Sequence, residues 1–286
     1  ARRLGDLKDS GATAFVARTL QGLDFLWSLP HRVVPLLNGV RAKSSSPLPF
    51  VEDISIPPEA LEELIARMRR ILQRHEVTAS LYSHAAVGQL HIRPFLPLPT
   101  SHDASRLEAL ARDLYHAALS LGGSISGEHG LGLSRTAFLR SQYGELYRVF
   151  QEVKDLFDPQ NLLNPGKVLT DDPHLTVRYL RPVVTTQPQL YELQLLWAPS
   201  EMSDAATACH GCGACRTQEP EQRMCPFFRS HPTEENSPRA KANAVRAVFD
   251  ERIPTHALAS TEMRNLAGRC FNCKQCEIDC PNHVDV

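Results

Sequence analysis

Residues 270–281 read CFNCKQCEIDCP: three cysteines spaced by two residues each, then a fourth cysteine followed by proline. Two-residue spacing lets one short turn aim three thiolates at a single inorganic core, and the Cys-Pro step turns the chain out of the site. A related stretch lies upstream, CHGCGACRTQEPEQRMCP, with Cys209, Cys212 and Cys215 and then Cys225-Pro226. Its last gap is nine residues against three in the second group, a loop insertion that still permits a ligand. In two-cluster proteins the distant cysteine of each group serves the other cluster. That pattern assigns Cys209, Cys212, Cys215 and Cys280 to one [4Fe–4S] cluster, and Cys270, Cys273, Cys276 and Cys225 to a second. Structural zinc is the alternative chemistry for CxxC pairs, but tetrahedral zinc has no use for a third cysteine at the same spacing. Between the groups, SPRAKANAVRAVF reads as helix, so the cysteine-rich part is expected to be a small α-helical ferredoxin-type domain rather than a β-rich one.

All eight cysteines follow residue 208. Two tight clusters favour metal in a reducing compartment over a disulfide framework, and the cytoplasm is the expected location. The chain has 286 residues, enough for two cores. Its 31 basic and 32 acidic residues nearly cancel, so no basic field draws it to nucleic acid. No apolar run is long enough for a transmembrane segment.

Upstream, IPPEALEELIARMRRILQRHE (56–76) places Leu61, Leu64, Ile65, Met68, Ile71 and Leu72 on one helical face. VTASLYSHA and then QLHIRPFLPL read as strands. A second helix is expected over about 103–121, with Leu107, Leu110, Leu114 and Ala118 inward and Gly122-Gly123 as its stop. A third, YGELYRVFQEVKDLF, ends at Asp158-Pro159. Helices interleaved with strands predict an α+β fold with helices on one face of a largely antiparallel sheet. The expected division is a domain over 1–170, a proline-spaced linker over 171–205 with one short strand, and the cysteine-rich domain over 206–286.

SHAAVGQLHIRP sets His84 and His91 on a strand end and on the next strand, where a turn between them brings both imidazoles within reach of one metal. In SGEHGLG, Glu128 offers a hard oxygen ligand with His129 beside it, and flanking glycines such as Gly127 let backbone approach a flat or charged ligand. Arg93 follows His91 by two on the same strand face and is placed to meet a substrate carboxylate.

SHAAVGQLHIRP, GGSISGEHGLGLSR and FDPQNLLNPGKV, in this order, resemble the C-terminal domain of the FAD-linked oxidases, which include D-lactate dehydrogenases, the glycolate oxidase flavin subunit and D-2-hydroxyglutarate dehydrogenases. The resemblance covers roughly 20–286 and is greatest to a bacterial branch in which this domain is fused to an iron–sulfur module. It implies a ferredoxin-like α+β domain that caps FAD and forms much of the substrate pocket. It implies a divalent cation, Zn2+ or Mn2+, on His84, His91 and Glu128. His129 would be the base that takes the hydroxyl proton of a small 2-hydroxy acid as hydride leaves for flavin N5. Asn164 and Lys167 of NPGK would lie on the flavin side. Many metal-dependent members carry aspartate and asparagine between the two histidines, where Val87 and Gln89 stand here.

Nothing in the chain resembles the family's N-terminal FAD-binding domain. The expectation is therefore a fragment, or a subunit completed by a separate flavin domain, inactive without it. Electrons would leave through the clusters to a quinone or another carrier, with attachment at the inner face of the membrane as one setting. The alternative function is a non-catalytic iron–sulfur electron-transfer subunit or docking module.

Overall fold

The computed structural model describes residues 15–39, 46–96, 101–180, 202, 205–220 and 223–286. They fall into two compact units, one drawn from 41–206 and 243–265, the other from 1–40, 207–242 and 266–286.

The first unit is α+β. Strand β4 (Gln89–Leu96) is its spine. Along one edge runs β3 (Thr78–His84), antiparallel, with Tyr82 opposite His91 and His84 opposite Gln89. The other edge is shared by β1 (Ser46–Pro47) and β2 (Ile54–Ser55), also antiparallel. Side chains alternate across a strand, so Leu90, Ile92 and Leu96 project to one face, where all three are buried. Helices α2 (Leu61–Arg74) and α3 (Ser101–Ser120) supply the rest of that core, through Leu64, Met68 and Ile71 and through Leu107, Leu110, Leu114 and Ala118. Leu61, Ile65 and Leu72 of the expected stripe pack at its margin. By the same alternation Tyr82, His84, His91 and Arg93 share the opposite face.

The β3–β4 turn depends on Gly88. Its φ is +69°, and a Cβ there would lie 2.0 Å from the Ile56 carbonyl oxygen, whose residue's N–H donates to Gly88 O at 3.0 Å. A side chain therefore meets both steric exclusion and left-handed strain. Gly122, at φ +76°, stops α3 as the sequence predicts.

Three elements depart from expectation. A helix, α1 (Leu20–Gly39), precedes the sheet. The third expected helix, 143–157, starts later than expected: Gly144 (φ +53°) ends a short unexpected helix, Leu139–Tyr143, and α4 spans Leu146–Phe157. The short strand expected within 171–205 is absent from its described part, where Leu175–Arg178 is helical. Leu175 and Thr176 are buried there, and Val177 and Leu180 pack on the core. Linker residues 181–201, 203 and 204 lie outside the described residues.

The second unit is helical around its cysteine turns, with helices Pro226–Ser230 and Gln275–Asp279. Pro238–Phe249, expected as helix, is one. No helix among the described residues is long and apolar enough to cross a membrane.

Candidate functional sites: an imidazole–carboxylate cluster and two cysteine cavities

The open face of the sheet gathers the histidines. The rings of His84 and His91 lie 5.3 Å apart, His91 and His129 5.2 Å apart, and Tyr82 lies beside both strand histidines at 5.1 and 5.8 Å. Glu128 is their common neighbour. Its Oε1 stands 3.8 Å from His84 Nε2, 3.4 Å from His91 Nε2 and 3.5 Å from His129 Nε2. The second ring nitrogen of His129, Nδ1, faces Glu52 Oε1 at 3.4 Å, and Glu52 Oε2 accepts from Arg93 at 2.7 Å. Burial first, and then the neighbouring His129, hold the His91 imidazole below its ordinary pKa, against the pull of Glu52, Asp53 and Glu128. That favours the neutral ring that binds metals.

The loop bearing Glu128 and His129 is held in place by Asp53. Ser55 and Ser124 exchange backbone hydrogen bonds beside β2, and Gly127 N–H donates to Asp53 O at 2.8 Å. The fully buried Asp53 carboxylate then accepts from Ser126 Oγ (2.7 Å), Glu128 N–H (3.0 and 3.2 Å), His129 N–H (2.8 Å) and Gln89 Nε2 (2.7 Å). Burial alone would raise its pKa, but donation from Ser126, the His129 and Glu128 amides and Gln89 outweighs it, and the carboxyl lies below its usual range. A Cβ on Gly127 would come within 3.2 Å of both Asp53 Oδ1 and Gln89.

One donor atom each from Asp53, His91, Glu128 and His129 lies within 4.8 Å of the other three. Asp53 is committed to four donor groups, which leaves His91, Glu128 and His129 of that set, with His84 outside it, its Nε2 3.8 Å from Glu128 Oε1. Neutral imidazoles with one carboxylate are the donor set of zinc or manganese, and the residues fit such an ion.

Asp53 and Glu52 were not among the residues singled out from the sequence. Their signal was two adjacent carboxylates between apolar Val51 and Ile54, where a solvated strand end would need neither. Gln89, the first residue of β4, is the strand side chain that reaches Asp53.

Asn164 and Lys167 lie on a separate exposed turn, Asn164 at φ +48°, with Lys167 N–H donating to Asn164 O at 3.2 Å. Asp158 fixes that turn, accepting from Leu162 and Leu163 N–H at 2.9 and 2.8 Å and from Lys154 Nζ at 2.5 Å. The Lys154 hydrogen bond and the Leu163 amide, against burial, bring its pKa to about 2. The unfolded value is about 3.9, so this stabilisation is complete above that pH and disappears as pH falls through the folded value. Unfolding midpoints measured from pH 5 down to 2 should lose part of their slope in Asp158→Asn. An unchanged slope would show that the turn draws no stability from the ionised carboxylate.

All eight cysteines are unpaired thiols. They line two cavities in the second unit. Cys225, Cys270, Cys273 and Cys276 line the first. Cys209, Cys212, Cys215 and Cys280 line the second, whose wall Cys276 also touches. This division coincides with the crossed sets expected from the spacing. Burial raises the Cys215 thiol to about 11 and also raises Cys276. A thiol so disfavoured as a bare anion is one that a bound cation would deprotonate.

Comparison with known proteins supplies the context. Residues 6–168 match the family described as FAD linked oxidases, C-terminal domain, and residues 206–285 match the 4Fe-4S dicluster domain. A D-2-hydroxyglutarate dehydrogenase of Pseudomonas putida is 33% identical over 319 residues, covering 99% of this chain and 30% of the relative. Its counterpart in Escherichia coli is 26% identical over 306 residues, 95% of this chain and 30% of the relative. A D-lactate dehydrogenase of Archaeoglobus fulgidus is 34% identical over 119 residues, 42% of this chain and 26% of the relative. The chain thus spans about three-tenths of the length of the D-2-hydroxyglutarate dehydrogenases it matches.

Proposed function

The chain belongs to the FAD linked oxidase family, and we propose that it is the substrate-capping and electron-exporting part of a dehydrogenase acting on a D-2-hydroxy acid of the lactate, glycolate or 2-hydroxyglutarate type. The observation that carries this reading is the convergence of His84, His91 and His129 on one Glu128 oxygen, beside Arg93. In this reading residues 1–170 form the cap, 171–205 the linker and 206–286 the cluster domain, in line with the two matched segments.

When bound, FAD would supply the hydride acceptor, a divalent cation on His84, His91 and Glu128 would acidify the substrate hydroxyl, and two [4Fe–4S] clusters on the cysteines would carry electrons to a quinone or another carrier. The chain's own residues orient the substrate and move the proton. His84, His91 and Glu128 hold the cation. Glu52 faces His129 Nδ1, so the neutral ring keeps its proton there and presents the Nε2 lone pair towards Glu128. That nitrogen takes the hydroxyl proton. Arg93, with one guanidinium nitrogen on Glu52, has further N–H donors for the substrate carboxylate.

The exposed helix α4 offers a flavin domain a surface of its own. Leu146, Val149, Val153, Leu156 and Phe157 are exposed at helical spacing, Leu156 by 75% and Phe157 by 80%, with Leu162 and Leu163 beside them. An apolar patch of that kind marks a docking surface. We assign it to the FAD-binding domain, carried on the same polypeptide or on a separate subunit.

The test is cofactor content and turnover of the intact enzyme purified without oxygen. About eight irons, about eight sulfides and one flavin are expected, with His129→Ala lowering turnover by about 10²–10⁴-fold at unchanged cofactor content. Iron without flavin, or turnover indifferent to His129→Ala, would leave an electron-carrying module instead. Zinc in place of iron would end the redox reading.

A further inference from the structure

The two cysteine turns are built alike. Gly211 and Gly213 in the first have φ of +84° and +82°, and Asn272 and Lys274, at the same places in the second, have +52° and +60°. Each turn aims a backbone N–H at a cysteine sulfur, Ala214 to Cys212 at 3.5 Å and Asn272 to Cys270 at 3.3 Å. Each has one exposed cysteine, Cys212 and Cys273. The turns' own backbone donation and solvent exposure, two of the factors that set a cluster's potential, are therefore alike, although Cys276 accepts further from the Val286 and Glu277 amides and Cys215 from that of Arg239.

Charge does separate them. The cavity of Cys225, Cys270, Cys273 and Cys276 is lined by Arg269, Lys274 and Lys241. Arg269 is ion-paired to Glu235, and Lys274 Nζ to Asp285 Oδ1 at 2.5 Å. Lys241 is only 7% exposed, and its Nζ donates to two backbone carbonyls, Glu235 O at 3.0 Å and Ser237 O at 3.5 Å. No carboxylate among the described residues lies within ion-pair distance of it. In the other cavity the only permanent cation among the described residues is Arg239. Glu234 holds it through two hydrogen bonds of 2.7 and 2.8 Å and is shared with the more exposed Arg216. A buried ammonium without a counter-ion acts through a low dielectric, whereas the charge left over by two guanidiniums on the one Glu234 carboxylate falls on the half-exposed Arg216, where water screens it.

Reduction adds one negative charge to a cluster, so an uncompensated cation beside it favours the reduced form. We propose that Lys241 makes the cluster held by Cys225, Cys270, Cys273 and Cys276 the higher-potential of the pair. An electron shared between the two clusters rests there, and that cluster is the one that hands electrons to the acceptor. This rests on the two-cluster reading above.

The experiment is an EPR-monitored redox titration of the complete holoenzyme and its variants, with iron and sulfide measured on the same samples. Lys241→Gln is expected to lower one midpoint by at least tenfold in the one-electron equilibrium, 59 mV, and to leave the other unmoved. The signal that moves should be the one lost in Cys225→Ala. Glu234→Gln alters a half-exposed side chain and leaves Arg239 unbalanced, so it should raise the other midpoint. It decides the matter if Lys241→Gln fails to load clusters. Full iron and sulfide with no midpoint moved in either variant, or movement of the wrong signal, would overturn the role of Lys241 alone. Absence of iron in the wild type would overturn the two-cluster reading with it.

Discussion

Replacing Asp53 by asparagine should cost the protein about 1–3 kcal/mol of stability and lower the turnover of the intact enzyme about 100-fold. The side chain is fully buried and accepts from four donor groups on two segments of chain: Gln89 on one, and Ser126 and the amides of Glu128 and His129 on the other. Asparagine matches its shape but puts an NH2 where one acceptor stood, so at least one N–H of the loop faces another donor. A buried donor left without a partner costs about 1–3 kcal/mol. Asparagine is also the right probe because Asp53 has a φ of +75°. Asparagine tolerates the left-handed region almost as well as aspartate, whereas alanine would add about 1–2 kcal/mol of backbone strain unrelated to the carboxylate. The activity loss follows from position. The two amides that Asp53 holds belong to the residues whose side chains meet His84 and His91, and displacing such a group by about 1 Å can cost about 100-fold. Denaturant midpoints and steady-state turnover, read together, check both halves. A variant that keeps wild-type values of both would show that the loop is positioned by its other contacts.

How much of this was legible beforehand depends on whether a feature is local. The stripes of α2 and α3 and the alternation of β3 and β4 repeat with the period of their own element, so the α+β core could be read directly, down to Leu107, Leu110, Leu114 and Ala118. Alternation also places His91 and Arg93 on one face without any coordinates. The third helix is expected from Tyr143 because nothing in the apolar spacing marks Gly144 as a boundary, whereas its positive φ ends Leu139–Tyr143 and delays the next helix to Leu146. Helix α1, with Pro30 inside it, was not read either, since an internal proline argues against a helix. Asp53 and Glu52 were missed for a different reason. Their partners lie 36 to 83 residues away, and a long-range hydrogen bond leaves no period in the sequence. The cysteine sets lie between these cases. Spacing located the triplets, but the partner of each distant cysteine needed either the two-cluster pattern or the cavities.

That pairing has a decisive test in double substitution. Alanine at Cys225 and alanine at Cys270, each alone, should disturb one cluster and leave the other intact, under the crossed arrangement and under a sequential one alike. The double variant separates them. If Cys225 joins Cys270, Cys273 and Cys276 around one cavity, both substitutions fall on the same site. Cys209, Cys212, Cys215 and Cys280 then remain a complete set of four thiolates. About four of about eight irons should survive, with the spectrum of one [4Fe–4S] cluster unchanged. If Cys225 instead completed its own sequence group, the double variant would leave three thiolates at each site and no complete set. Both native signals would then vanish. Partial three-iron clusters do not blur the outcome, because only the crossed arrangement preserves a native four-thiolate site. Cys270→Ala with Cys280→Ala gives the mirror result: both native signals lost if the chain crosses, one retained if it does not. The geometry favours crossing for a local reason. Cys225 has a φ of +54° and is followed by Pro226, which opens a helix, so the chain turns out of the cavity immediately after delivering its sulfur.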